Sequence, residues 1–232
     1  MNKFKRHFDF LRLYHIIMSM RLYIIRHGET QSNVNRITNG WVDEDLNDNG
    51  VKLARLSGQG MKGIHFDACI SSPLKRAVNT VKIVLSESGN NDIEIKTDDR
   101  LKEINFGVNN GLSLYSGNLP EKEASKFFSD PFNYPGFEGG ETIEEVCRRT
   151  QEFLKELCAN DDGRTYLIGI HGCAVRAMLN FLYDDPSDFW HGHVPYNCAV
   201  NIIEAASGEI RLIADDKIYY DSKYIVDRYG KG

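Results

Sequence analysis

Long apolar runs are missing from this 232-residue chain; nothing approaches the roughly 18 consecutive apolar residues that a membrane-spanning helix requires. Cysteine pairing is missing too. Cys69, Cys147, Cys158, Cys173 and Cys198 are odd in number, widely spaced and free of any Cys-x-x-Cys pair, which argues against a disulfide framework or a zinc site and fits a reducing cytoplasm. There is no basic excess: 33 acidic residues against 28 basic ones leave a net charge of −5, which speaks against nucleic acid or an acidic membrane as a partner. An anionic small molecule held by a few cations in a cleft stays compatible with that balance. Repeats and low-complexity linkers are absent as well. The first twenty residues interleave Lys3, Lys5, Arg6 and Arg12 with Phe4, Phe8, Phe10 and Leu11, without the clean apolar run and small-residue cleavage site of a secretory signal. Residues 1–20 are therefore expected to be an N-terminal extension outside the core, and residues 21–232 a single domain.

What is present reads as alternating strands and helices. Leu22, Tyr23, Ile24 and Ile25 form a short continuous apolar run, the mark of a strand buried on both faces, and it stops at Arg26-His27-Gly28. A helix is expected over Asn49–Lys62, weakened by Gly58 and Gly60, then a buried strand over Phe66–Ile70. Ser72 and Pro73 suit the N-cap and first position of a helix running through Leu74, Ala77, Val81 and Leu85. Ile93–Lys96 reads as a short strand, and 105–140 as a loop-rich cap insertion in which Leu119–Phe128 can be helical. Thr142 and Glu145 make a capping-box pattern ahead of an amphipathic helix through Val146, Leu154 and Cys158. Tyr166–Ile170 is another buried strand ending in His171-Gly172 before a helix through Val175, Met178, Leu179 and Leu182. Val200–Ile203 and Ile210–Ile213 flank a Ser207-Gly208 turn as a hairpin.

Alternating strands and helices predict an α/β fold with a largely parallel sheet. Three buried strands run straight into polar loops, and in a parallel sheet those loops emerge at one edge, where ligands bind. If the three strands are neighbours, Arg26, His27, Arg76 and His171 come together. Two guanidinium forks and two imidazoles would select a tetrahedral dianion, helped by the helix N-termini beside Arg76 and His171. Gly28 and Gly172 permit close backbone approach or positive φ.

Those residues carry a resemblance. Leu22-Tyr23-Ile24-Ile25-Arg26-His27-Gly28-Glu29-Thr30 with Asn33 resembles the signature of the histidine phosphatase superfamily, which includes cofactor-dependent phosphoglycerate mutases and many phosphatases. Asn39-Gly40-Trp41-Val42-Asp43, Ser71-Ser72-Pro73-Leu74-Lys75-Arg76-Ala77 with Thr80, Leu101-Lys102-Glu103-Ile104-Asn105-Phe106-Gly107 with Gly111, Gly139-Gly140-Glu141-Thr142 and His171-Gly172 follow in the family's order. The resemblance implies a three-layer α/β/α fold with a mostly parallel sheet. It implies His27 as the nucleophile that becomes phosphohistidine. Arg26, Arg76 and His171 would bind phosphoryl oxygens, Glu103 would act as proton donor and then base, and Asn33 and Gly172 would line the phosphate pocket. No metal and no cofactor is expected.

The chain also departs from the family's pattern. Asn109 and Asn110 stand where an aromatic and an acidic residue are common, and Asn105 where an acidic one is; these changes are expected to alter the rim. Cys173 replaces a frequent glycine, as a structural thiol or one that confers sensitivity to thiol reagents. The short 105–140 segment, with only Lys122 and Lys126 as basic residues, reads more like a phosphatase cap than a mutase insertion. The expectation is a metal-independent cytoplasmic phosphatase of a small phosphorylated metabolite. A phosphoglycerate mutase is the runner-up and a non-catalytic phosphate-binding module a remote third. His191-Gly192-His193 would suit a metal hydrolase but lacks a third ligand at zinc-motif spacing. A homodimer is compatible with this size.

Overall fold

The structure, a computed structural model, describes residues 19–225. The basic, aromatic leader up to residue 18 lies outside the described residues. Met20, expected in the extension, opens the first strand and is fully buried, so the core begins one residue earlier than predicted.

Six strands form one sheet: β1 (Met20–Arg26), β2 (Ala68–Ser71), β3 (Ile95–Thr97), β4 (Thr165–Ile170), β5 (Val200–Ala206) and β6 (Glu209–Lys217), in the order β3-β2-β4-β1-β5-β6. The β3–β2, β2–β4 and β4–β1 pairs are parallel, and β1–β5 and β5–β6 are antiparallel. The three strands that end in polar loops are thus neighbours, as the placement of the site requires. Register keeps their ends level: Arg26 stands opposite Ile170, and the His27 N–H donates to the Ile170 carbonyl at 3.0 Å.

The helices are α1 (Gln31–Asn35), α2 (Asp48–Gly60), α3 (Lys75–Ser88), α4 (Glu121–Ala124), α5 (Lys126–Ser129), α6 (Ile143–Ala159) and α7 (Gly172–Leu179). Alternation along β1 divides the core in two. Leu22 and Ile24 pack with Ile168 and Ile170 against α6, α7 and the 105–140 segment, while Tyr23 and Ile25 pack with Leu167 against α2 and α3. That division is the three-layer arrangement. Along α6, Ile143, Val146, Phe153, Leu154 and Leu157 are buried, each worth about 1.5–3 kcal/mol of transfer free energy.

The capping box forms as predicted. The Glu145 N–H donates to Thr142 Oγ1 at 3.3 Å, and Glu145 Oε2 accepts from the Thr142 N–H at 2.9 Å. Gly58 does not break α2. A Cβ there would stand 2.9 Å from the Val84 carbonyl oxygen, so the glycine lets α2 and α3 approach closely. The predicted start of α3 is wrong by two residues: its N-cap is Leu74, with no side-chain cap bond. The Ser72 hydroxyl is committed to His171 at 2.7 Å, and Asp43 Oδ1 takes the Lys75 N–H at 2.8 Å in its place. Leu119–Phe128 is represented by the short helices α4 and α5, and the hairpin strands extend beyond the predicted 200–203 and 210–213.

Candidate active site

β1 delivers Arg26 and His27, β4 delivers His171, and β2 leads through Ser72 to Arg76 at the start of α3. The His27 and His171 ring centroids lie 5.1 Å apart with planes inclined at 57°. His27 Nδ1 sits 2.7 Å from the Gly28 carbonyl oxygen. A carbonyl only accepts, so Nδ1 carries the proton and Nε2 keeps its lone pair. The loop is pinned on both sides: Asn197 Nδ2 donates to the His27 carbonyl at 3.0 Å, and the Gly28 N–H donates to Thr80 Oγ1 at 2.9 Å. A Cβ on Gly28 would meet the Gly50 carbonyl oxygen at 2.6 Å, so close approach, not positive φ, explains this glycine. Burial, then Arg76 and Arg26, hold the His27 imidazole well below the usual histidine range, leaving it neutral at physiological pH.

Arg76 is fully buried. Its Nε donates to His171 Nδ1 at 3.2 Å, Nη1 to the Val42 carbonyl at 2.7 Å and Nη2 to the Gly40 carbonyl at 2.7 Å. Each terminal nitrogen retains one further N–H. Burial draws its pKa down to about 10 against the pull of Glu103, Glu44 and Asp43, so it is a cation at neutral pH. Arg26 donates through Nη1 to the Pro195 carbonyl, and its Nε is buried without a hydrogen-bond partner among the described residues. An unsatisfied buried donor costs about 1–3 kcal/mol, and at a cavity wall it is placed to bind an anion. His171 accepts from Arg76 at Nδ1, so Nε2 carries its proton and donates to Ser72 Oγ. Burial and Arg76 likewise hold His171 well below its usual range.

Arg26, His27, Asn33, Arg76, Glu103 and Gly172 all line one cavity of about 420 Å³. His171 is not among the lining residues; it is fully buried beside His27 and bonded to Arg76. Glu103 Oε1 accepts the N–H groups of Ala174 and Ile104, both at 3.0 Å, and Oε2 that of Cys173 at 3.3 Å, placing the carboxylate at the N-terminus of α7. Arg149 fixes the backbone that carries it, donating to the carbonyls of Arg100, Lys102 and Glu103 at 2.7–3.0 Å while paired with Glu141 at 2.7 Å. Asn33 Oδ1 accepts from the Thr30 N–H and from Asn197 Nδ2. A Cβ on Gly172 would stand 3.3 Å from Arg26 Nε and from Val194 Cγ1, a tight contact that would press on the Arg26 side chain.

Other expectations change. Asn105 and Asn110 are not at the cavity wall. Asn110 Oδ1 accepts the N–H groups of Trp41 and Phe106, and its Nδ2 donates to Asn105 Oδ1, so the pair ties two loops beneath the rim. Cys173 lines the cavity but is buried, and burial followed by Glu103 pushes its thiol well above the usual range. His191 stacks on Tyr183 with ring centroids 3.7 Å apart, and His193 Nε2 faces Asp216 at 3.1 Å. No group of three potential metal-holding side chains forms among the described residues.

A neutral imidazole with a free lone pair between two guanidinium groups can attack an electrophilic phosphorus and hold its oxygens. A model of the histidine phosphatase superfamily (branch 1) matches residues 22–215. The chain belongs to that superfamily. Among its relatives, a 2,3-bisphosphoglycerate-dependent phosphoglycerate mutase of Cytophaga hutchinsonii is 33% identical over 73% of this chain and 81% of its own. A broad-specificity phosphatase of Saccharomyces cerevisiae is 28% identical over 89% of this chain and 90% of its own. Among solved structures, YhfR of Bacillus stearothermophilus superposes with a TM-score of 0.78 at 29% identity, covering 86% of this chain and 98% of that one. Superfamily relatives therefore include both phosphatases and mutases, and the fold is that of phosphoglycerate mutase-like proteins.

Sequence reasoning did not single out Asn39, Asn197 or the Pro195 carbonyl. Asn39 lines the cavity, with Nδ2 donating to Thr30 Oγ1 at 2.9 Å and a buried Oδ1 that has no partner among the described residues. Asn197 reaches His27 across 170 positions, a separation that leaves no local pattern to read.

Proposed function

We propose that this protein is a metal-independent phosphatase that hydrolyses small phosphomonoesters through a phosphohistidine on His27. The observation that carries this reading is the His27 Nδ1–Gly28 carbonyl bond, which leaves the Nε2 lone pair beside Arg26 and Arg76. In the first step Nε2 attacks phosphorus and the ester P–O bond breaks. Glu103 gives its proton to the leaving alcohol oxygen. In the second step Glu103 takes a proton from water, the water oxygen attacks phosphorus, the P–N bond breaks and Nε2 regains its electron pair. Arg26 and Arg76 hold the phosphoryl oxygens throughout, His171 orients Arg76, and Asn33 and Gly172 shape the pocket.

Phosphatase is favoured over mutase by the 105–140 segment. It contributes Phe127, Phe128 and Tyr115 to the cavity, and neither of its lysines lines it. We read the protein as one domain from Met20 with this segment as cap. Five unpaired cysteines fit a cytoplasmic location. The 33% match to a mutase keeps phosphoglycerate interconversion as the second reading.

The test is phosphate release from p-nitrophenyl phosphate with chelator present, for wild type and His27→Ala. Hydrolysis that survives chelator and falls by on the order of 10³-fold or more in the variant is expected. Full activity of the variant would refute the role of His27. Interconversion of phosphoglycerates outpacing phosphate release would reverse the ranking of phosphatase and mutase.

A further inference from the structure

The cavity has two unlike ends. Arg26, Arg76 and His27 define one, and aromatic rings define the other. Phe106, Phe127 and Trp190 are buried there, with Phe127 set edge-to-face at 5.3 Å from both Phe106 and Trp190. The Trp190 indole N–H is spent on the Phe127 carbonyl at 2.9 Å, so only its carbon framework remains for a ligand. At the mouth, Phe128 and Tyr115 are 38% and 55% exposed, large apolar side chains held in water around an opening.

Cations are scarce away from the phosphate end. Among the described residues no lysine lines the cavity, and Arg36 is the one further cation that does, exposed at the rim. Lys126 of the cap is paired with Glu123 at 2.7 Å and stands outside the lining. A carboxylate or second phosphate on the leaving group would lose water against rings, with only the exposed Arg36 as a described opposite charge to offset that loss. An aromatic or apolar group there would extend an edge-to-face cluster already formed. At about 420 Å³ the cavity falls within the range that encloses a whole small ligand.

From this we infer that the site takes phosphomonoesters of apolar, aromatic-sized alcohols, with the ring against Phe106, Phe127, Phe128 and Trp190. The inference rests on the phosphatase reading for the placement of the phosphoryl group, and it narrows the substrate class within that reading.

Phosphonates test it without turnover. Calorimetric titration of the full chain with benzylphosphonate, ethylphosphonate and 3-phosphonopropionate compares an aromatic, a small apolar and a carboxylate-bearing group. Benzylphosphonate is expected to bind at least about tenfold more tightly than either of the others. Phe128→Ala and Tyr115→Ala, both at partly exposed positions, are expected to reduce the ratio of benzylphosphonate to ethylphosphonate affinity several-fold. Binding of 3-phosphonopropionate as tightly as benzylphosphonate, or a preference untouched in both variants, would overturn the inference and leave the phosphatase reading standing. Failure of all three phosphonates to bind would overturn both.

Discussion

Arg76 Nε donates to His171 Nδ1 at 3.2 Å, and this one bond sets the tautomer of a histidine that does not itself reach the cavity. The remaining Arg76 bonds run to the Gly40 and Val42 carbonyls, so a single guanidinium on α3 joins the end of β4 to the Gly40–Val42 loop. A lysine has no planar fork and could not satisfy all three acceptors. Arg76→Lys is therefore expected to lower kcat/KM on p-nitrophenyl phosphate by about 10²–10³-fold and to cost about 3 kcal/mol in denaturant unfolding. A variant with more than half the wild-type kcat/KM would contradict this account.

The Arg149–Glu141 pair acts on Glu103 from outside the cavity. Both side chains are over four-fifths buried, Arg149 holds the carbonyls of Arg100, Lys102 and Glu103, and Glu141 Oε2 accepts the Asn105 N–H at 2.8 Å. Glu141→Gln keeps the shape and removes the charge that orients Arg149. The expected effect is a kcat lowered about 10–100-fold with KM within about threefold, because phosphate binding is left intact while Glu103, the proposed proton-transfer group, is displaced. A KM that rises with kcat unchanged would show that the pair serves binding, not the positioning of Glu103.

Much of this site was readable because its chemistry sits where periodicity stops. Leu22 to Ile25 is apolar on both faces, so the strand and its abrupt end at Arg26 are plain, and the same holds for Tyr166–Ile170 before His171. The capping box marks α6 just as directly. α1 is five residues long, too short for a helical period to register. β6 alternates exposed with half-buried positions and carries Arg211, Asp215 and Asp216, so its nine residues lack the apolar signal that marked the central strands. Ser72 followed cap chemistry on paper, but its hydroxyl accepts from His171 across 99 positions, and the helix starts beyond it at Lys75. Asn105 and Asn110 were placed at the rim because they depart from a family pattern, whereas side-chain amides can also fasten one backbone to another.

The cysteines give a simple chemical check. Burial raises the thiols of Cys69, Cys158 and Cys198 to about 12 and that of half-buried Cys147 to about 11, with Cys173 higher than its usual range as well. The thiolate is the reactive species, so the native protein is expected to react slowly with an aromatic disulfide reagent at pH 8, Cys147 first, and to keep its activity. All five thiols should titrate in denaturant. Fast inactivation protected by phosphate would instead place a reactive Cys173 in the pocket.

Acid should weaken the fold through His27 and His171. Both imidazoles are held well below the ordinary value of 6.5, by burial first and Arg76 second. The unfolded chain takes up these protons near pH 6.5 while the folded one refuses them until much lower pH, so the unfolded state binds more protons in that window and stability falls as pH drops. Each group contributes a slope of about 1.4 kcal/mol per pH unit, about 2.7 for the two together. This component is constant above the unfolded-state pKa and is lost progressively below it. Urea unfolding at pH 7.5, 6.5 and 5.5 reads the slope, and His171→Gln is expected to remove about half of it while the carboxylates contribute mainly at lower pH. Stability that stays flat from pH 6.5 to 5.5 would mean that both imidazoles are protonated in the folded protein, and a neutral His27 nucleophile would then lose its main electrostatic support.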